Sequence, residues 1–180
     1  LTAQESLLLA LSQRYLHHIL PANMTRSMAE FFDQARGTLT EDKARREREW
    51  LSKVRVVSVT QPLLPPKIKP GVFEAVSKAL YDNCWLDVDY RNAQGSRTEA
   101  TVMPLGLAQQ GPRLYLVCRF KGYDNERSLA LHRIDTAVAG AIPFERPKDF
   151  SLDKFDDDGR FGFGEGKKIT LKFRITKGAG

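Results

Sequence analysis

The chain changes its hydrophobic period about halfway along. Through residue 81 the apolar positions recur at helical spacing. Thr2-Ala3-Gln4-Glu5 reads as a capping box. Leu8, Leu11, Tyr15, Leu16 and Ile19 then form a stripe broken by Ser12, and Pro21 ends that helix. Thr25 is placed to cap a second helix, with Met28, Phe31, Phe32 and Ala35 on one face and Gly37 to close it. A third helix is expected from Thr40 to about Lys53, densely charged through Arg45, Arg46, Glu47, Arg48 and Glu49. Residues 54–59 alternate like a strand, and Pro62, Pro65, Pro66 and Pro70 make a stiff connection. Helix returns over about 70–81, with Val72, Phe73, Val76 and Leu80 on one face.

From residue 84 the period is two. Leu86, Val88 and Tyr90 alternate with Asp87, Asp89 and Arg91. Asn92-Ala93-Gln94-Gly95 turns, and 97–103 answers as the hairpin partner. Residues 104–108 predict a third short strand, 113–120 and 127–134 two more, and 137–142 a last one. Several short strands entered by a helix predict an α+β chain: N-terminal helices, then a small closed β-barrel of the Sm/SH3 kind. A short helix or turn is expected over 150–158, then a glycine-rich loop, then an alternating strand over 168–175 with no following partner. That orphan strand and a first residue that is Leu rather than Met read as marks of a piece of something longer.

Charge refines this picture. The formal net charge is +6, which raises the expectation of an anionic partner. Residues 84–135 carry 7 Lys/Arg against 6 Asp/Glu, so the strand region is nearly neutral. The excess lies in 54–83 and in 159–180. An anion site on the sheet must therefore be made by the placement of a few arginines. The charged helix 40–53 reads either as a solvated face or as an interface with a partner subunit. Cys84 and Cys118 sit in apolar contexts and read as buried free thiols. No apolar run approaches the ~20 residues of a membrane span, and no membrane partner is expected.

Catalytic motifs are sparse. His17 and His18 fall on the first helix, and His132 alone sits among strands. No HExxH, CxxC or P-loop is present. Asp156, Asp158 and Glu165 take EF-hand positions around Gly159, but Lys154 stands where the first carboxylate is needed. Neither metal, cofactor nor enzymatic activity is expected. The basic strand positions carry more. Tyr115, Val117 and Arg119 share a face, and Arg127 and Arg133 share one if 127–134 is a single strand. A tyrosine with several arginines suits a nucleotide or single strand, since rings stack on bases and guanidiniums fork onto phosphate. Alternatively these arginines are solvated or pair with Asp87, Asp89, Glu99 and Asp135.

Pro104-Leu105-Gly106-Leu107, then Leu114-Tyr115-Leu116-Val117, then Arg127 and Leu131-His132-Arg133-Ile134 resemble a WYL domain over roughly residues 70–158. Phe144, Pro147 and Phe150 fit that family's closing pattern, and Leu114 stands where the namesake triplet has Trp. The resemblance implies an Sm-like barrel in a bacterial, cytoplasmic transcriptional regulator. It implies a helical linking or dimerisation region over 1–60, a winged helix-turn-helix before it that reads duplex DNA, and the start of a C-terminal extension over 159–180. Homodimers are common in the family. A nucleotide or single-stranded nucleic acid effector is expected at a site of Tyr90, Tyr115, Arg119, Arg127, His132 and Arg133. The other reading is a stand-alone nucleic-acid-binding module that uses the basic linker and tail.

Overall fold

A computed structural model describes residues 1–16, 19–56 and 66–161. His17, His18, half of the expected strand 54–59, the prolines at 62 and 65, Glu165 and the strand 168–175 lie outside the described residues. The chain divides into two compact units, Leu1–Arg146 and Pro147–Gly180.

The first unit opens with helices. α1 (Ala3–Leu16) begins at the expected capping box: Thr2 Oγ1 accepts from the Glu5 amide at 3.1 Å, and Glu5 accepts from the Thr2 amide at 2.8 Å. The expected stripe is not the packed one. Leu8 is 66% exposed, while Ser6 is fully buried. The second predicted helix is two helices, α2 (Ala22–Ser27) and α3 (Ala29–Thr40). Pro21 starts α2, and Thr25 is inside it, donating to the Pro21 carbonyl instead of capping. α3 runs through Gly37 and buries Phe32, Ala35 and Leu39, leaving Phe31 in solvent. A 3-10 turn, Asp42–Ala44, precedes α4 (Arg45–Lys53). Val54, Arg55 and Val56 form no strand.

α5 (Val72–Asp82) follows Gly71, whose φ of +81° suits a residue without Cβ, and ends at the left-handed Asn83. Five antiparallel strands come next: β1 (Cys84–Arg91), β2 (Arg97–Gln110), β3 (Arg113–Phe120), β4 (Glu126–Ala130) and β5 (Ile134–Pro143). The sheet order is β4-β3-β2-β1-β5. The two strands expected over 97–103 and 104–108 are one bent strand. Its register shifts between Pro104 and Gly106, a bulge that accommodates a proline unable to donate to the ladder. The strand expected over 127–134 is broken by a 3-10 turn, Leu131–Arg133, between β4 and β5.

The fold is α+β, but the expected closed barrel is an open five-stranded sheet: no ladder joins β4 to β5 among the described residues. The reason lies in the core. Val72, Val76 and Ala79 of α5 enter one cluster with Leu86, Val88, Val102, Leu116, Cys118, Leu131 and Ile134. α5 packs mainly on β5, with β1 and β2 beside it, so a helix takes part of the sealing that a closed ladder would supply. On β5 a Cβ at Gly140 would stand 3.1 Å from the Trp85 carbonyl oxygen, which keeps that crossing close.

Within the second unit α6 (Leu152–Asp157) forms where a short helix is expected. Ser151 caps it by accepting from the Lys154 amide at 3.3 Å, and the rings of Phe150 and Phe161 flank Phe155.

Candidate functional site

The ladder fixes which face each basic side chain takes, since directly paired residues share a side. Cys118 pairs with Arg127, and Leu116 with Leu129, on the core side. Arg119 pairs with Glu126, and Tyr115 with Ala130, on the outer side. Arg119 and Arg127 therefore project from opposite faces. Adjacent positions on a strand cannot both serve one site on one face.

Each arginine has its own setting. Arg119, 15% exposed, holds Glu126 through Nε at 2.9 Å and Nη2 at 2.5 Å. Arg127 is exposed and lies over two rings, 4.9 Å from the Phe120 centroid and 5.4 Å from that of Tyr123. Gly122, at φ +85°, makes the turn that brings Tyr123 back toward it. Of the carboxylates weighed as partners, Asp135 takes Lys69 at 2.6 Å and Arg91 at 3.1 Å, and Asp89 and Glu99 take Arg97.

At the other end of β3, about 23 Å from Phe120 at a strand rise of ~3.3 Å, the 3-10 turn brings His132 and Arg133 beside Arg113. Burial, then the charges of Arg133 and Arg113, hold the His132 imidazole below its usual range. His132 Nδ1 is buried and, among the described residues, has no hydrogen-bond partner. Tyr115 lies two positions along β3 from Arg113, half-buried on the same outer face. Tyr90 pairs with Ile134 and packs against the core. The six expected residues thus fall into separate groups: Tyr115, His132 and Arg133 with Arg113 at one end, Arg127 with Phe120 and Tyr123 at the other, Arg119 bound to Glu126, and Tyr90 against the core. The sequence reading missed Arg113. Its signal was its place two residues from Tyr115 at the start of a strand.

Both cysteines are buried and free, and burial pushes the Cys118 thiol up to about 12, so it stays protonated at neutral pH. Among the described residues no group of three or more His, Cys, Asp or Glu is placed to hold a metal ion, and no helix is long and apolar enough to cross a membrane.

Residues 71–139, α5 through most of β5, match the WYL domain family. That stretch, well under half of the chain, is similar to a WYL domain. Its namesake position, Leu114, is buried in the core cluster between β2 and β4. Among solved structures the chain is similar to proteasome accessory factor B/C (PafBC) of Arthrobacter aurescens, at 25% identity and a TM-score of 0.45. That likeness covers 58% of this chain and 16% of the other. No curated protein matches the chain in sequence.

Proposed function

We propose that the WYL domain senses an anionic effector, a nucleotide or a short single-stranded nucleic acid, and acts by binding rather than catalysis. The observation that carries this is the convergence of Arg113 and Arg133 on His132, whose buried imidazole nitrogen has no partner among the described residues. Three cation-capable groups at one strand end repel one another, and an anion would relieve that repulsion. Two guanidiniums can fork onto phosphate oxygens, and the Tyr115 ring offers an apolar flank. Arg127, over Phe120 and Tyr123, projects from the other face of the ladder and stands apart from this contact.

The resemblance supplies the setting: a homodimeric, cytoplasmic transcriptional regulator, with duplex DNA read by a winged helix-turn-helix in a separate domain. Binding would then bias the geometry of the DNA-reading heads, a coupling between two sites. Titration of the chain with a cyclic mononucleotide and with a short single-stranded oligonucleotide tests the reading. Saturable binding is expected, weakened by about tenfold or more in Arg113→Ala and in Arg133→Ala. Unchanged binding in both variants would sink it. A steep salt dependence, with a slope near −0.7 per phosphate contacted and no loss in either variant, favours the basic linker and tail instead.

A further inference from the structure

β5 is an edge strand among the described residues, with α5 packed on its core side and register shifts near both ends of its pairing with β1. It pairs with β1 on one side, and no described strand pairs with the other. Protein edge strands are commonly blunted by charge, proline, bulges or shortness. β5 has ten residues, and between Asp135 and Pro143 it carries neither charge nor proline. Val138 and Ile142 stand out from it, 62% and 71% exposed.

The surface beside that edge is acidic. A groove of about 610 Å³ crosses the outer faces of β1, β2 and β5 and, among the described residues, holds Asp87, Asp89 and Glu99 against one cation, Arg97. Arg97 is taken by Asp89 and Glu99. Asp87 has the Thr101 hydroxyl at 2.5 Å and, among the described residues, no cation. The register places Asp87 directly beside Val138 and Asp89 beside Thr136.

We infer that β5 takes an extended basic segment of a partner protein as a sixth strand. Main-chain hydrogen bonds along the edge would give affinity, and alternate side chains specificity. At about 4.8 Å per strand, a lysine on the added strand opposite Val138 is two strand spacings from Asp87, within reach of its flexible stem. Apolar residues at neighbouring positions would cover Val138 and Ile142. Charge selects this occupant over a second copy of the chain. Two-fold β5–β5 pairing would bring two acidic grooves together, and like charge disfavours that pairing.

The test is fluorescence anisotropy of the chain with a labelled octapeptide of alternating lysine and valine. Saturable binding is expected, weakened by about tenfold or more in Val138→Lys, an exposed position whose fold can be checked by circular dichroism. The same peptide N-methylated at alternate residues should not bind, because one edge of its backbone is blocked. A valine–glutamate octapeptide should not bind either. The inference is overturned if the lysine peptide does not saturate, if either control peptide binds equally well, or if Val138→Lys leaves binding unchanged. It is also overturned if the chain self-associates in light scattering and Val138→Lys abolishes that, which would make the second copy the occupant.

Discussion

The Arg97 guanidinium grips the nearly buried Asp89 carboxylate with a hydrogen bond from Nε to Oδ1 at 2.8 Å and an ion-pair contact between Nη2 and Oδ2 at 2.6 Å. The two residues face each other diagonally across the β1–β2 hairpin, and a carboxylate shielded this far needs a compensating charge. Removing one partner is therefore worse than removing both. Arg97→Met should lower the unfolding temperature, and Asp89→Asn in that background should restore part of the loss. A thermal double-mutant cycle checks this, and strict additivity would show that the pair is uncoupled.

Ser6 is the opposite case, a buried hydroxyl of α1 with no partner among the described residues. An unsatisfied buried polar group is a penalty, and alanine is the better helix former. Ser6→Ala should stabilise the chain by about 0.5–1.5 kcal/mol in urea unfolding. A loss of stability would mean that the hydroxyl has a partner after all.

Leu114 stands where the WYL motif has tryptophan, and restoring the motif should do harm. Its side chain is 6% exposed among Leu116, Leu129 and their neighbours, a space filled by leucine. Leu114→Trp overpacks that space and should destabilise by about 1–3 kcal/mol, whereas Leu114→Met should lose less. Equal stability of wild type and Leu114→Trp would show room that the packing does not.

Asp135 ties the entry of α5 to the end of β1. The hydrogen bond from Lys69, then that from Arg91, holds its carboxyl below the ordinary value of 3.8. A depressed carboxyl contributes stability that is complete above the unfolded value and is lost as pH falls through the folded one. Asp135→Asn should thus be less stable than wild type at pH 7, and the gap should close below about pH 3.8. A gap that persists at pH 2 would assign the loss to packing rather than charge.

How much of this was legible in the sequence depends on how local the signal was. The capping box at Thr2 and Glu5, helix α5 and the β1–β2 hairpin follow from neighbouring residues, and each forms as expected. The failures are tertiary. Whether Leu8 or Ser6 is buried is set by the helices that arrive later, and the stripe alone does not say. The break at Leu131–Arg133 was hidden because an apolar-basic alternation reads as strand on either side of a three-residue turn. That break changes the site, because it takes His132 and Arg133 away from Arg127 and sets them beside Arg113. The opposite faces of Arg119 and Arg127 depend on cross-strand register, which spacing within one strand does not contain. The open sheet has the same origin, since helix packing on β5 settles what the strand count alone left to closure.

His132 gives the effector site its pH signature. Burial and the two flanking arginines favour its neutral form, so near neutral pH it carries little charge. A bound phosphate diester would reverse that balance and raise the imidazole's proton affinity, so binding takes up a proton. Affinity for a single-stranded oligonucleotide, whose diesters do not titrate in this range, should rise as pH is lowered from about 8 to 5.5. In His132→Gln the extra rise should vanish while the arginine contribution remains. Isothermal titration in two buffers of different ionisation enthalpy measures the proton uptake directly. The free protein should show the reverse dependence: a depressed histidine contributes stability that is present above 6.5 and is lost as pH falls below it. Proton uptake that is unchanged in His132→Gln would move the titrating group elsewhere and remove the histidine from the site.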